Sequence, residues 1–271
     1  MDSALIVSTV APLRKAASSE SVLEDEALCG YQVELLEQKG RWHRVRTHYR
    51  YEGWVWEEDL LRGTRRAESW KKVQKLTVMQ AHADILSEPK VQGILVQDLT
   101  KGALVTPTGE SRDGWEKVRL CSGREGWIWG AFLGSYLTTW NRSEEEKVRN
   151  SLAETALSYL GVQYRWGGKT PLGIDCSGLC SMSYLLNGIL INRDAFLAPG
   201  FCMHKIPLEN IKKGDLLFFP GHVALYLGGR RYIHSTTGNN CHGVVINSLD
   251  PDAPDYRADL PPKILYAGSI F

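Results

Sequence analysis

The pentapeptide EGWVW at residues 52–56 returns as EGWIW at residues 125–129, an offset of 73 residues. The preceding segments align at the same offset without a gap, WHRVR at 42–46 with WEKVR at 115–119. A run with strand-like alternation precedes each copy, and a turn containing glycine leads into it, which is typical of short strands joined by tight turns. The repeat therefore predicts two small all-β units, near the lower size limit for an independent core.

The composition limits the possible partners and the compartment. The 271 residues carry a net charge of +1, too little to hold nucleic acid or an anionic membrane surface. The six cysteines are scattered, which favours reduced thiols over a disulfide scaffold. The first residues lack the basic and apolar segments of a secretory signal, and no apolar stretch is long enough to span a bilayer. We therefore expect a cytoplasmic protein.

Three domains are expected: residues 1–63 and 70–138 contain one repeat each, and residues 139–271 form the third. The charged segment 62–72 is the predicted joint between the repeats. In the third domain we predict a helix capped by Ser143 and ended by Gly161, and a second from about Cys176 to Asn187. Strand-like segments follow at 215–219, 223–227, 231–234 and 244–247, so this domain is expected to be α+β.

Cys176 is the candidate nucleophile, in the sequence GIDCSGL at residues 173–179. A cysteine at the start of a helix lies at its positive end, where a thiolate is stabilised, so we expect a lowered pKa. The small neighbours Ser177 and Gly178 leave room for a substrate carbonyl and for backbone donors to an oxyanion. The alternative is a buried helix cysteine without chemistry.

His222 is the candidate base, and His234 is the candidate group that orients it. His222 opens one predicted strand and His234 lies in the next, so antiparallel pairing can bring the rings together. Nucleophile, base and orienting group would then follow in the order Cys, His, His. The alternatives are two histidines with only structural roles, or a zinc site that includes Cys176 and Cys180. No Cys-x-x-Cys pair supports zinc, so we expect no metal and no other cofactor.

Residues 140–271 resemble the NlpC-type family of papain-like cysteine peptidases, which cleave γ-D-glutamyl bonds in peptidoglycan peptides. The motifs that carry the resemblance occur in the family's order: YRWGG at 164–168, DCSG at 175–178, GHVALYLG at 221–228 and IH at 233–234. The two repeats resemble the bacterial SH3-like domains that precede this peptidase domain in some members. The implied fold class is multidomain, with two small all-β SH3-like barrels followed by an α+β papain-like peptidase domain.

By position, the resemblance implies catalytic roles for Cys176, His222 and His234, and a place near the oxyanion for Tyr164. It also implies that the substrate peptide is bound by residues next to the nucleophile and after its helix: Asp175, Ser177, Asp194 and Ala195. Ala195 stands where serine is common in the family, so only its backbone can contribute.

In the members that recycle wall peptides, the first SH3-like unit recognises the free amine of an N-terminal L-Ala. The matching residues here are Glu24, expected to pair with the ammonium, and Tyr51, expected to form a hydrogen bond beside it. Arg124 stands in the second repeat where the first has Tyr51, so only the first would recognise substrate. The alternatives are a solvated carboxylate at Glu24 and ordinary barrel packing at Tyr51.

The resemblance implies an endopeptidase that hydrolyses the γ-D-glutamyl-L-diamino-acid bond of free murein peptides beginning with L-Ala. We expect a monomer that binds this small peptide and neither nucleic acid nor membrane. One alternative is an exported hydrolase of polymeric peptidoglycan that uses the repeats for wall targeting. Others are a peptide-binding protein without activity and an acyltransferase built on the same site.

Overall fold

The computed structural model describes residues 2–271, which divide into two compact units, one ending at Tyr136 and the other beginning at Leu137. Most of the regular structure is β, and the second unit adds two helices to its sheet. Within residues 2–271, no helix combines the length and apolar character needed to cross a bilayer.

The first unit contains two seven-stranded sheets, one for each sequence repeat. The first sheet is built from β1 (Ser3–Ile6), β2 (Val10–Arg14), β3 (Leu23–Leu28), β4 (Gln32–Lys39), β5 (Trp42–Thr47), β6 (Glu52–Trp56) and β7 (Leu60–Arg62). The second is built from β8 (Leu76–Val78), β9 (His82–Leu86), β10 (Leu95–Thr100), β11 (Leu104–Arg112), β12 (Trp115–Arg119), β13 (Glu125–Trp129) and β14 (Leu133–Ser135).

The strand order is the same in both sheets. It is β3-β2-β6-β5-β4-β1-β7 in the first and β10-β9-β13-β12-β11-β8-β14 in the second. The 73-residue sequence repeat is therefore a repeat of topology as well. Helix α1 (Thr64–Lys72) occupies the segment between the two sheets, and the Trp70 indole N–H on its buried face donates to the carbonyl of Gly30 at 2.7 Å.

The repeated glycine and tryptophans have a packing reason. A Cβ on Gly53 would lie 2.8 Å from the Leu13 side chain, and one on Gly126 would lie 2.6 Å from the Ile85 side chain. Only glycine lets β6 and β13 cross so closely over the neighbouring strand. The tryptophan at the end of each of these strands packs edge to face against the first residue of the adjacent strand, Trp56 on Trp42 and Trp129 on Trp115.

The second unit begins with helices. Helix α2 (Glu145–Leu157) follows a short 3-10 turn, Arg142–Glu144. The prediction that Ser143 caps this helix is wrong: Glu144 occupies the N-cap position of α2, and Ser143 lies in the preceding turn, where its N–H donates to the Asn141 side chain at 3.1 Å. The helix predicted from Cys176 is confirmed as α3 (Cys176–Leu185), with Gly188 in the left-handed region at φ 77° just beyond its end.

The strands of the second unit form a two-stranded hairpin and a six-stranded sheet. The hairpin joins β15 (Lys169–Thr170) and β16 (Gly173–Ile174) just before α3. The sheet has the order β17-β22-β18-β19-β20-β21, in which all neighbours are antiparallel. Its strands are β17 (His204–Ile206), β18 (Leu216–Phe219), β19 (His222–Gly228), β20 (Arg231–Thr236), β21 (Gly243–Ser248) and β22 (Tyr266–Ser269).

Helix α3 packs against β19 and β20, the strands that contain the two candidate histidines. The first residue of the helix is Cys176, and the first residue of β19 is His222. This packing is the step that brings the nucleophile motif to the histidine motifs.

Candidate active site

The nucleophile helix begins at a side-chain cap. Asp175 adopts extended backbone angles, and its Oδ1 accepts the Gly178 N–H at 2.6 Å. Its Oδ2 accepts the Gly167 N–H at 2.9 Å, which ties the helix to the preceding glycine turn. A Cβ on Gly178 would lie only 2.2 Å from the Gly168 carbonyl oxygen, so the helix start and this turn are in direct backbone contact. Cys176 is thereby fixed at the first position of α3.

Arg193 also supports the loop that contains Asp175, Cys176 and Ser177. Its guanidinium donates to both carboxylate oxygens of Asp175, at 3.0 and 2.9 Å, and to Ser177 Oγ at 2.8 Å. Arg193 is 2% exposed and Asp175 is 7% exposed, so the pair is buried. These contacts use Asp175 and Ser177 to build the loop around the nucleophile. A bidentate pair of this kind holds geometry as well as charge.

Backbone amides surround the Cys176 sulfur. The Val223 N–H and the Ser177 N–H both lie within hydrogen-bonding reach of Sγ and lower the pKa of the thiol. Val223 follows His222 directly, so the sulfur faces the beginning of β19. Tyr164 lies close enough for the charges of Cys176 and Asp175 to raise the pKa of its hydroxyl, after burial as the larger cause. That hydroxyl therefore keeps its proton and is available as a donor.

The lowered pKa expected for Cys176 is wrong for this structure. Burial of the side chain, which is 6% exposed, raises the pKa of the thiol to about 11, and the Asp175 charge adds to the effect. The backbone amides and Arg193 act in the opposite direction but are outweighed. Burial destabilises the thiolate by more than the N-terminus of the helix stabilises it. The resting nucleophile is therefore a thiol that needs a base.

The candidate base, His222, lies at one end of a series of hydrogen bonds across three adjacent strands. Nε2 of His222 on β19 lies 2.7 Å from Nδ1 of His234 on β20. Nε2 of His234 lies 2.9 Å from Oδ1 of Asn247 on β21. The sequence predicted the contact between the two histidines, and the rings meet with an interplanar angle of 76°.

Both histidines are neutral at physiological pH. Burial lowers the pKa of His222 to about 3, and the nearby His234 contributes in the same direction. Burial lowers the pKa of His234 to about 4, against the opposing effect of its hydrogen bond to Asn247. An unprotonated imidazole can accept a proton, so His222 is chemically able to act as a base.

The other predicted site residues are placed as follows. Asp194 and Ala195 follow Arg193 directly in the segment after α3, and Asp194 lines a small cleft together with Ser177, Phe196 and Val223. Glu24 and Tyr51 belong to the first unit. Glu24 is partly exposed on β3, and Tyr51 packs against the hydrophobic core of the first sheet.

Sequence reasoning missed two residues of the site. Arg193 directly precedes the predicted site residue Asp194, but no local pattern indicates that it is buried beside Asp175, where it supports the nucleophile loop. Asn247 ends the predicted strand 244–247, and a polar side chain at the end of an alternating run was the only available signal. Across residues 2–271, no three His, Cys, Asp or Glu side chains are grouped so that they could share a metal ion.

Comparison with known proteins gives relatives of one family. The profile of the NlpC/P60 family matches residues 161–256, which include Cys176, His222 and His234. A relative from Lysinibacillus sphaericus named dipeptidyl-peptidase 6 is 42% identical over 272 residues, 99% of each chain. A relative from Bacillus cereus named gamma-D-glutamyl-L-lysine dipeptidyl-peptidase is 29% identical over 243 residues, 79% of this chain and 67% of its own.

A solved structure has the same fold. The crystal structure of an NlpC/P60 family protein from Bacillus cereus superimposes with a TM-score of 0.79, covering 98% of both chains at 22% sequence identity. The similarity extends over both units of this chain.

The buried pair gives the first testable prediction. Replacing Arg193 by Leu leaves the Asp175 carboxylate buried without its cation, and we expect a loss of about 3–5 kcal/mol in the free energy of unfolding. Lysine cannot reproduce the two-pronged geometry, so Arg193→Lys should recover only part of the loss. Urea unfolding of the full chain measures both.

The matched control is Arg231→Gln, which breaks the more exposed pair with Asp255, where the side chains are 53% and 31% exposed. We expect this change to cost less than about 1 kcal/mol. If Arg193→Leu were no more destabilising than Arg231→Gln, the supporting role of Arg193 would be contradicted.

The raised pKa of Cys176 gives the second prediction. Because the thiolate forms only as pH approaches about 11, alkylation of Cys176 by iodoacetamide should accelerate steadily from neutral to strongly alkaline pH. Cys176→Ala supplies the background from the other cysteines, of which Cys202 is exposed. A rate for Cys176 that is already level at about pH 7 would show a resting thiolate and contradict this account.

Proposed function

Because the chain belongs to the NlpC/P60 family of cysteine peptidases, we propose that it hydrolyses the γ-D-glutamyl-diamino-acid bond of free cell-wall peptides beginning with L-Ala. The observation that carries the proposal is that the buried Cys176 thiol is within reach of the backbone amide of Val223, the residue directly after His222 of the neutral histidine pair. The names of the two relatives, dipeptidyl-peptidase 6 and gamma-D-glutamyl-L-lysine dipeptidyl-peptidase, support this bond as the target.

The first chemical step is attack of sulfur on the γ-carbonyl carbon of D-Glu. His222 accepts the Cys176 proton as the C–S bond forms, and the imidazolium that results is held by His234. The thiolate and the imidazolium arise side by side, so their attraction offsets part of the cost of creating each charge in a buried site.

The tetrahedral intermediate needs donors for its oxyanion. The Cys176 N–H belongs to the first turn of α3, where amides have no partner within the helix, and the Tyr164 hydroxyl is near enough to Cys176 to sense its charge. Together they stabilise the oxyanion, each by a few kcal/mol. His222 then gives its proton to the amine of the departing diamino acid, and water hydrolyses the remaining thioester at Cys176.

Recognition of the L-Ala amine is assigned to Glu24 and Tyr51 in the first repeat. In the first repeat, the register between β2 and β3 shifts at Glu24, which makes Glu24 the extra residue of a β-bulge. In the second repeat, Val96 is the extra residue of a bulge between β9 and β10. Bulges redirect a side chain and are common beside functional sites. At the position of Tyr51 the second repeat has Arg124, which donates to the carbonyl of Val96 at 2.8 Å. By analogy with this contact in the second repeat, we propose that Tyr51 lies beside Glu24 in the first.

The requirement for a free amine explains the proposed biological setting. In the intact wall, L-Ala is joined to muramic acid by an amide, so an enzyme that pairs with the ammonium spares the polymer. We therefore propose a monomeric, cytoplasmic enzyme of murein peptide recycling, in which both repeats are bacterial SH3-like units.

The activity is tested by digestion of synthetic L-Ala-γ-D-Glu-L-Lys and its meso-diaminopimelate analogue, each with a free and with an acetylated N-terminus. We expect release of the diamino acid from the free peptides and at least about tenfold slower release from the acetylated ones, because the blocked amine cannot form a charged hydrogen bond. Mass spectrometry identifies the products. Cys176→Ala should abolish turnover of all four peptides.

Two results would contradict the proposal. Turnover by Cys176→Ala would exclude the cysteine mechanism. Equal turnover of free and acetylated peptides, or a preference for polymeric peptidoglycan, would exclude specificity for the free amine.

The role of Glu24 is tested separately. Glu24→Gln keeps the size of the side chain but removes its charge, so we expect KM for the free tripeptide to rise about tenfold or more with a smaller effect on the acetylated peptide. Glu26→Gln is the matched comparison, since Glu26 is two residues further along β3 and is 1% exposed. An effect of Glu26→Gln without one of Glu24→Gln would contradict the assignment to Glu24.

A further inference from the structure

We propose that Asn247 is a positioning residue that decides which ring nitrogen of each catalytic histidine carries the proton. The inference rests on the cysteine peptidase activity and on the hydrogen bonds of four groups, and it does not depend on which peptide is the substrate. The consequence of these protonation states is that Nδ1 of His222 is the atom that accepts the proton of Cys176.

The orientation of the Asn247 amide is fixed by a backbone carbonyl. Its Nδ2 lies 2.7 Å from the carbonyl oxygen of Asp255, and that oxygen can only accept a hydrogen bond. The NH₂ group must therefore point to Asp255, which leaves Oδ1 directed at His234, 2.9 Å from Nε2. An amide in the opposite orientation would place two acceptors against each other.

The orientation of the Asn247 amide determines which nitrogen carries the proton in both histidine rings. Because Asn247 Oδ1 can only accept, His234 must carry its proton on Nε2, and in a neutral ring its Nδ1 is then an acceptor. The contact of 2.7 Å requires a donor on the other side, so His222 carries its proton on Nε2. The remaining nitrogen of His222, Nδ1, is left with a lone pair.

The Asp255 carbonyl, the last group in this series of hydrogen bonds, is held in place by the loop after β21. The Asp255 oxygen also accepts the Ser248 N–H at 3.4 Å, and Ser248 and Tyr256 form an isolated parallel bridge. The Asp255 carboxylate pairs with Arg231 at 2.9 Å on the exposed side of the loop. The loop at 250–256 therefore has a defined place against β21, and its backbone supplies the fixed reference.

Other groups act on the same histidines. The Arg257 charge disfavours protonation of both rings and the Asp259 charge favours it, while these two residues pair with each other at 2.6 Å. The Tyr232 ring packs edge to face on His234 at 5.1 Å. None of these contacts supplies an acceptor to the His234 ring, so the tautomer depends on Asn247.

Three side chains of nearly the same shape test the proposal at position 247. Asparagine has one donor and one acceptor, Asn247→Asp has acceptors only, and Asn247→Leu has neither. We expect Asn247→Leu to lower kcat about 100-fold with KM changed less than about twofold, since the wrong tautomer of a catalytic histidine costs up to ~10⁴-fold in serine peptidases.

Asn247→Asp should retain more activity than Asn247→Leu, because the carboxylate still accepts from His234. Its negative charge also favours imidazolium, so the acid limb of the pH profile of kcat should move to higher pH than in the wild type. A role that is only structural would not move this limb. Arg231→Gln is the matched control: it removes only the exposed ion pair to the Asp255 side chain and keeps the Asp255 carbonyl that Asn247 uses, so kcat and the pH profile should be unchanged.

The proposal is overturned if Asn247→Leu retains kcat within about twofold of the wild type, given the tautomer argument. It is also overturned if Asn247→Asp has an unshifted acid limb. Circular dichroism and urea unfolding show whether each variant folds. If Asn247→Leu does not fold, the deciding measurement is the pH dependence of iodoacetamide alkylation of Cys176 in folded Asn247→Asp. A pH dependence unchanged from the wild type would count against the proposal.

Discussion

A hydrogen bond of 2.7 Å between the rings of His222 and His234 is the interaction on which the site depends. It can form only when one ring nitrogen donates and the other accepts, so it couples the protonation of two side chains on different strands. The sheet order β19-β20-β21 places the base, its partner and Asn247 on successive strands. Helix α3 packs against β19 and brings the Cys176 sulfur to the backbone amide of Val223, next to His222.

Burial determines the chemistry of the resting enzyme. The same desolvation that raises the pKa of Cys176 to about 11 lowers that of His222 to about 3, so the neutral pair is favoured in the absence of substrate. For the thiol alone the shift corresponds to about 3 kcal/mol. In the proposed mechanism, proton transfer is therefore coupled to the attack on substrate, when the oxyanion donors and the new ion pair act together. A thiol at rest also protects the nucleophile from oxidation.

Sequence patterns predicted much of this arrangement because they arise from local constraints. The repeated Glu-Gly-Trp motif predicted two equivalent units, since Gly53 and Gly126 are needed where strands cross closely. The helix at Cys176 and the strand histidines followed from periodicity and capping. The family was identified from motifs that are each short and contiguous.

The parts that sequence could not supply depend on contacts between distant segments. Asn247 gains its role only because the carbonyl of Asp255, eight residues away, is folded back against β21. The pKa of the Cys176 thiol depends on its burial and on groups as distant in sequence as Arg193 and Val223, which no single segment reveals. Ser143 and Asn141 are both good capping residues, and only the turn geometry selects Asn141.

The most direct test of the central claim is nitrogen NMR of the histidine rings in the full-length protein labelled with ¹⁵N, with His222→Gln and His234→Gln used for assignment. We expect that at neutral pH both rings are neutral and carry their proton on Nε2, with Nδ1 of His222 unprotonated. A spectrum in which His222 carries its proton on Nδ1, or in which either ring is an imidazolium, would contradict it.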